Sequence, residues 1–437
     1  MGSVNGAGDV MGDLELDRVR LGIVPLTDCA PIAVARELGL FRKWGIEVAI
    51  SREPSWANIR DKVSIGALDG AQMLAALPLA SALGLGGIAK PLVTALNLGL
   101  NGNAITLSAA LWQQILYAHP AAAVERPLTA RGLRTVIEQR KSVGAPPLTF
   151  AVTFPFSSHN YLLRYWLAAG GIDPDRDVRL TVVPPPLMVA KLEARHIDGF
   201  CVGAPWNQRA VELGIGRIAV CSSEIWHSHP EKVFGVTRDW AERHPNTHRA
   251  LLAAIIEAAE WLDEPANRPE AARILVTRGY VDVPESIVAR SLIGEIRYGH
   301  DEAPRMSRDY IVFHRYAANF PWLSHAEWTL VQMQRWGQIG DATDIAAVAA
   351  AAYRPDIFRD VASRLGRSCP VFDRKREGEH IGGWQLPGSP DAIAMGPDTF
   401  IDDQIFDPAD PAGYLARVRD HHRDDAIPRS SGSGRPS

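Results

Sequence analysis

The chain has 437 residues, of which 46% are hydrophobic and 22% charged, with a formal net charge of −4 at pH 7. That is apolar material for two cores of ordinary domain size, and the lack of a basic excess argues against direct contact with nucleic acid. Four cysteines, Cys29, Cys201, Cys221 and Cys369, form no CxxC pair and no zinc-like spacing with histidine, so neither a disulfide scaffold nor a metal site is indicated.

Residues 1–17 offer neither the basic start nor the apolar run of an export signal, and they read as a flexible N-terminus of a cytoplasmic protein. Cys29 lies inside the first structural motif, which does not suit a lipid-anchored leader. "RVRLGIVPLTDCAPIAVARELGLFRKWGIEVAI" predicts a strand over Val19 to Val24, a helix from Pro31 to Leu40 capped by Asp28, and a strand over Ile46 to Ile50. Such a βαβ unit predicts a parallel sheet, and residues 18–109 read as the first part of one lobe. Residues 91–124 carry no Asp, Glu, Lys or Arg but are interrupted by Asn97, Asn101, Asn103, Gln113 and Gln114. They read as buried strand and helix rather than a membrane span.

Strand and helix signals then alternate through "LTFAVTFPFSSHNYLLRYWLAAGG", "VRLTVVPPPLMVAKLEARHIDGFCVGAPWNQRAVELG" and "GRIAVC", predicting a second α/β lobe over 110–240. Residues 241–375 turn helical and return to the first lobe, with an apolar stripe at Leu251, Leu252, Ile255, Ile256 and Ala259. Residues 376–425, rich in Gly, Pro and Asp, read as a strap over the body, and 426–437 as a disordered tail. No GxGxxG, Walker A or GxSxG motif opens a helix after a strand, so a binding protein is expected and not an enzyme.

"PSWANIRDKV", "LDGAQML", "LNGNAITLS", "TFPFSSHNYLLRYWLAAGGIDPDRDV", "IDGFCVGAPWNQRAV", "HPEKVFGVTRDW" and "FIDDQIFDPADPAGYL" resemble, in order, the solute-binding proteins of nitrate and bicarbonate ABC importers. The resemblance implies a two-lobed α/β periplasmic-binding-protein architecture (type II), with a ligand cleft between the lobes and a C-terminal extension. Without an export signal, the chain is most similar to the NasS-type nitrate/nitrite sensors of this family. This implies a cytoplasmic sensor that holds a NasT-like RNA-binding antiterminator until the anion arrives. The alternative is an exported component of a nitrate/nitrite importer whose leader is missing.

Capturing a flat, weakly basic anion takes hydrogen-bond donors and one compensating cation, while contacting carboxylates would repel it. His159 sits after a strand and in the first turn of a helix, where free N–H groups and the helix dipole favour an anion; it matches the family's binding histidine. Lys232, by its residue type a solvated loop charge, matches the position that supplies the cation in nitrate binders. Bicarbonate binders carry an acid there and recruit calcium, so nitrate or nitrite is the implied ligand and neither calcium nor another cofactor is expected. The resemblance also implies that Trp56 forms a wall, that Asn101 donates where relatives often have Gln, and that Gly203 lets the backbone approach. Ala204 stands where relatives often have Glu. His227 and His229 read as a solvated loop.

Overall fold

The computed structural model describes residues 11–87 and 90–424. Its chain begins with β1 (Arg18–Ile23), α1 (Ala30–Glu37), β2 (Glu47–Arg52), α2 (Trp56–Ser64), β3 (Gly70–Leu74) and β4 (Leu92–Asn101). Every residue of β4 is buried, as expected of a near-continuous apolar run covered on both faces. The chain then turns through Asn101 and Gly102, both at left-handed φ (64° and 90°), a conformation that Asn and Gly tolerate best.

That turn carries the backbone into a second sheet, built from β5 (Asn103–Ser108), β6 (Leu148–Val152), β7 (Val178–Val182), β8 (Gly199–Gly203) and β9 (Gly216–Cys221) in the order β7–β6–β8–β5–β9. Helix α3 (Ser158–Ala169) follows β6, and the Ser157 side chain caps it by accepting from Asn160 N. Strand β10 (Pro230–Thr237) returns to the first sheet, followed by α4 (Pro245–Asp263), β11 (Ile311–Val312) and α5 (Leu323–Arg335). The first sheet runs β11–β4–β10–β3–β1–β2. The predicted parallel pairing holds for β2–β1–β3, but β10 lies antiparallel between β3 and β4, because it re-enters from the other lobe.

The lobe boundaries therefore differ from the sequence reading. The second sheet starts at Asn103 rather than at 110, and the return to the first sheet is made by Pro230 rather than after 240. No Gly/Pro-rich linker marks either crossing: the first is the buried turn Asn101–Gly102, and the second runs through the short helix Ser222–Ile225 and the turn before Pro230. Residues 11–17 are not free either: Glu15 accepts from Asn246 N at 3.0 Å and Thr247 N at 2.8 Å, satisfying the open N–H groups at the start of α4. Residues 1–10 and 425–437, which hold the predicted tail, lie outside the described residues.

The strap packs over both lobes and ends in α6 (Pro411–Asp424). Tyr165 of α3 donates to Asp402 at 2.8 Å, Trp226 bridges to Phe400, and Trp328 of α5 donates to the Tyr414 hydroxyl at 3.1 Å. The predicted α4 stripe, Leu251, Leu252, Ile255, Ile256 and Ala259, is buried. Among the described residues, no helix is long and apolar enough to cross a membrane.

Candidate functional site

A lysine buried at a strand start must find acids, because an unpaired buried ammonium is prohibitive. Lys232 is 1% exposed and lies in β10, not in the solvated loop its residue type suggested. Its Nζ stands 2.9 Å from Asp28 Oδ2 and also pairs with Glu231. A regular strand would send Glu231 and Lys232 to opposite faces. The register of β10 against β4 slips on both sides of Lys232, and this bulge lets the neighbouring side chains meet.

Each carboxylate is held in turn. Glu231 accepts from Asn103 Nδ2 and Ser158 Oγ, and Asp28 accepts from Gln72, whose own oxygen is fixed by Val24 N at 2.8 Å. Asp28 was expected to cap α1; its carboxylate instead serves Lys232 and Gln72, and no side chain caps that helix. Asp28, Gln72 and Lys232 belong to the first lobe, and Asn103 and Ser158 to the second. The lobes also meet backbone to backbone, where Thr27 N donates to Ala204 O at 2.8 Å.

His159 lies at the N-terminal turn of α3, wholly buried, with Nδ1 at 3.2 Å from Thr153 Oγ1 and Nε2 at 3.2 Å from Glu231 Oε1. Trp56, at the start of α2, puts its ring under the ammonium, 5.2 Å from Lys232 Nζ. Gly203 ends β8 where a Cβ would come within 3.2 Å of both Asn103 Oδ1 and Asp28 Oδ2. Four of the five expected residues thus meet. Asn101 is not brought in: its Nδ2 donates to the Asp309 carbonyl at 2.8 Å, and the carboxamide inside the cluster is Asn103. His227 and His229 are not solvated: His229 is buried, and His227 Nε2 lies 3.2 Å from Asp309.

Burial holds His159 down to about 3, against the pull of Glu231, and Lys232 adds to the depression. Burial pushes the Glu231 carboxyl up, but its His159 and Lys232 neighbours outweigh that and hold it at about 2. For Asp28 burial wins, and its carboxyl is raised despite Lys232. Burial would lower Lys232, but Asp28 and Glu231 keep its ammonium above the ordinary lysine value. With both carboxylates ionised, as their contacts with Lys232 favour, the cluster is one charge negative while His159 is neutral. Unpartnered polar atoms remain among the described residues: Trp56 Nε1 and Thr27 Oγ1 can donate, and Asn103 Oδ1 can accept. Sequence reasoning missed Asp28, Gln72, Asn103, Ser158 and Glu231. The "EK" pair at a strand start was the available signal for the last.

The NMT1-like family matches residues 12–276. The nitrate import ATP-binding protein NrtC of Synechocystis sp. is 37% identical over 428 residues, which cover 96% of this chain but 58% of that longer relative. The nitrate/nitrite binding protein NrtA of Synechococcus elongatus is 34% identical over 412 residues, 92% of this chain and 86% of the relative. Among solved structures, the periplasmic nitrate-binding protein NrtA from Synechocystis superposes with a TM-score of 0.79 at 28% identity, covering 93% of this chain and all of that one.

Proposed function

The chain belongs to the NMT1-like family, with the binding proteins of nitrate and bicarbonate import, and from that premise we propose that it captures nitrate or nitrite between its two lobes. The observation that carries this reading is the buried Lys232 ammonium over the Trp56 ring, whose Nε1 is unpartnered, as is the buried Thr27 Oγ1 next in sequence to Asp28. Lys232 supplies the counter-charge, the indole and hydroxyl supply donors, and the ring suits a weakly hydrated anion. With a lysine present where bicarbonate binders are expected to carry an acid, calcium has no part in this reading. Micromolar capture needs about 8 kcal/mol, within reach of a few charge-assisted hydrogen bonds. Lys232, Trp56 and Thr27 belong to the first lobe, and the second closes on them through His159, Asn103 and Ser158 on Glu231, so the anion would favour the closed form by its differential affinity for the two arrangements.

Two roles follow from such capture. The named relatives are importer components, which favours delivery to a membrane partner. The sensor role in the cytoplasm, with the anion releasing a NasT-like antiterminator, rests on the sequence resemblance and requires that anion and partner weaken each other by the same factor. A partner pull-down indifferent to millimolar nitrate and nitrite would remove it. For the ligand itself, nitrate or nitrite should raise the melting temperature by several degrees at about 100 times Kd. A rise with bicarbonate plus calcium and none with nitrate or nitrite would contradict the assignment.

A further inference from the structure

The charges around Lys232 do not balance for an anion. Asp28 and Glu231 already outnumber the ammonium, so a second net negative charge would enter a site whose residues are almost wholly buried, at a prohibitive cost unless something positive comes with it. Asp28, whose carboxyl burial raises, stays paired to Lys232 and Gln72, and His159 is the group placed to change charge. Both of its ring nitrogens face an oxygen, Thr153 Oγ1 and Glu231 Oε1, each at 3.2 Å, so an imidazolium there would have an acceptor for each N–H. We propose, on the reading that the cluster binds a small oxyanion, that the anion enters together with one proton taken from solvent onto the His159 ring.

The groups bearing on His159 are consistent with this. From the β10 side these are Glu231, Lys232 and the buried His229, and Asp28 reaches the cluster through Lys232. Cys201 of β8 and Tyr310 sense the same charges, but burial pushes their thiol and phenol far up and both stay neutral. Before the anion arrives, burial and Lys232 keep the ring unprotonated. An anion against Lys232 offsets the lysine charge that opposes protonation, leaving the attraction of Glu231. Asp28 and Glu231 thereby make the ligand an anion plus a proton, rather than an anion alone.

Linkage gives the readout. Between the free pKa of His159, about 3, and its higher value in the complex, affinity falls with pH by up to tenfold per unit, the slope equalling the protons taken up. The experiment is calorimetry of nitrate into the full chain at pH 6 in MES and in bis-Tris, which differ in ionisation heat, with Kd followed from pH 5.5 to 8.5. The expected result is different heats in the two buffers, corresponding to uptake approaching one proton, and weaker binding as pH rises. Asp28→Asn, which removes one negative charge, should bind with less uptake and a flatter pH profile. Nitrate binding with equal heats in both buffers and a flat Kd would overturn the proposal and leave the anion reading intact. Binding that requires an added metal cation would do the same. No binding of nitrate, nitrite or bicarbonate at any pH would overturn both.

Discussion

Two buried charge clusters in this molecule are built almost alike. Between the lobes, Lys232 joins Asp28 and Glu231 over Trp56, with His159 and Ser158 on Glu231. Under the strap, Lys375 joins Glu377 and Asp398 over Trp322, 6.0 Å from the ring, with His325 and Ser324 on Glu377. Residue types alone would not say which cluster is a site. The strap cluster draws on α5 and residues 375–398, and Glu377 is also pinned by paired backbone hydrogen bonds to Phe406. It has a further histidine, His380, 3.1 Å from Asp398 and 27% exposed at the side chain. The cleft cluster draws on both sheets and has no such solvent-reaching histidine; its unpartnered buried atoms include Trp56 Nε1, whereas at the strap they are the ring nitrogens of His325. One fastens the strap; the other joins the two lobes and is the one we propose to hold the ligand.

The sharpest way to break this comparison is to remove one lysine. Lys232→Met leaves Asp28 and Glu231 buried without their cation, so about 3–5 kcal/mol of stability should go at pH 7, and calorimetry should show nitrate affinity down by more than about 100-fold. Glu377→Gln should lower stability by a comparable amount, roughly 3 kcal/mol in chemical denaturation, yet leave nitrate affinity within about twofold of wild type. If both variants lose binding equally, the clusters are not distinct in role. Trp56→Phe keeps the ring and removes the indole N–H; an expected loss of about 1–2 kcal/mol in binding, with little change in melting temperature, would mark a ligand donor. Taken group by group, the smallest effect is set by pH. His159, His229 and His248 are depressed to about 3, 4 and 4 by burial, below the unfolded value near 6.5. Their contribution is present above pH 6.5 and lost as pH falls towards 4, roughly 1 kcal/mol per histidine by pH 5.5. Saturating nitrate should lessen this loss if His159 is protonated in the complex.

Much of the fold was legible, because β strands such as Val19 to Val24 and the α4 stripe announce themselves by apolar runs and helical spacing. The lobe crossings were not, since the chain changes sheet at the buried turn Asn101–Gly102 and through the short helix Ser222–Ile225 before Pro230, neither marked by a linker composition. At the site, residue types alone pointed to His159, while Lys232, Trp56 and Gly203 came through resemblance. Asp28 was misread because Asp ahead of a Pro-containing helix carries the same local signal whether it caps the helix or reaches across to a lysine. Asn101 also came through resemblance, and nothing in "LNGNAI" tells which amide faces the cleft; Asn101 takes the left-handed turn and Asn103 reaches Glu231. The pairing of Glu231 with Lys232 depends on a bulge that no period-two pattern reveals.

The central claim is that an oxyanion sits against Lys232 between the lobes. Calorimetric titration of nitrate and nitrite into wild type and Lys232→Met at pH 6 tests it most directly. The account predicts saturable one-site binding in wild type that is lost in the variant. Undiminished binding in Lys232→Met, with that variant folded, would contradict it.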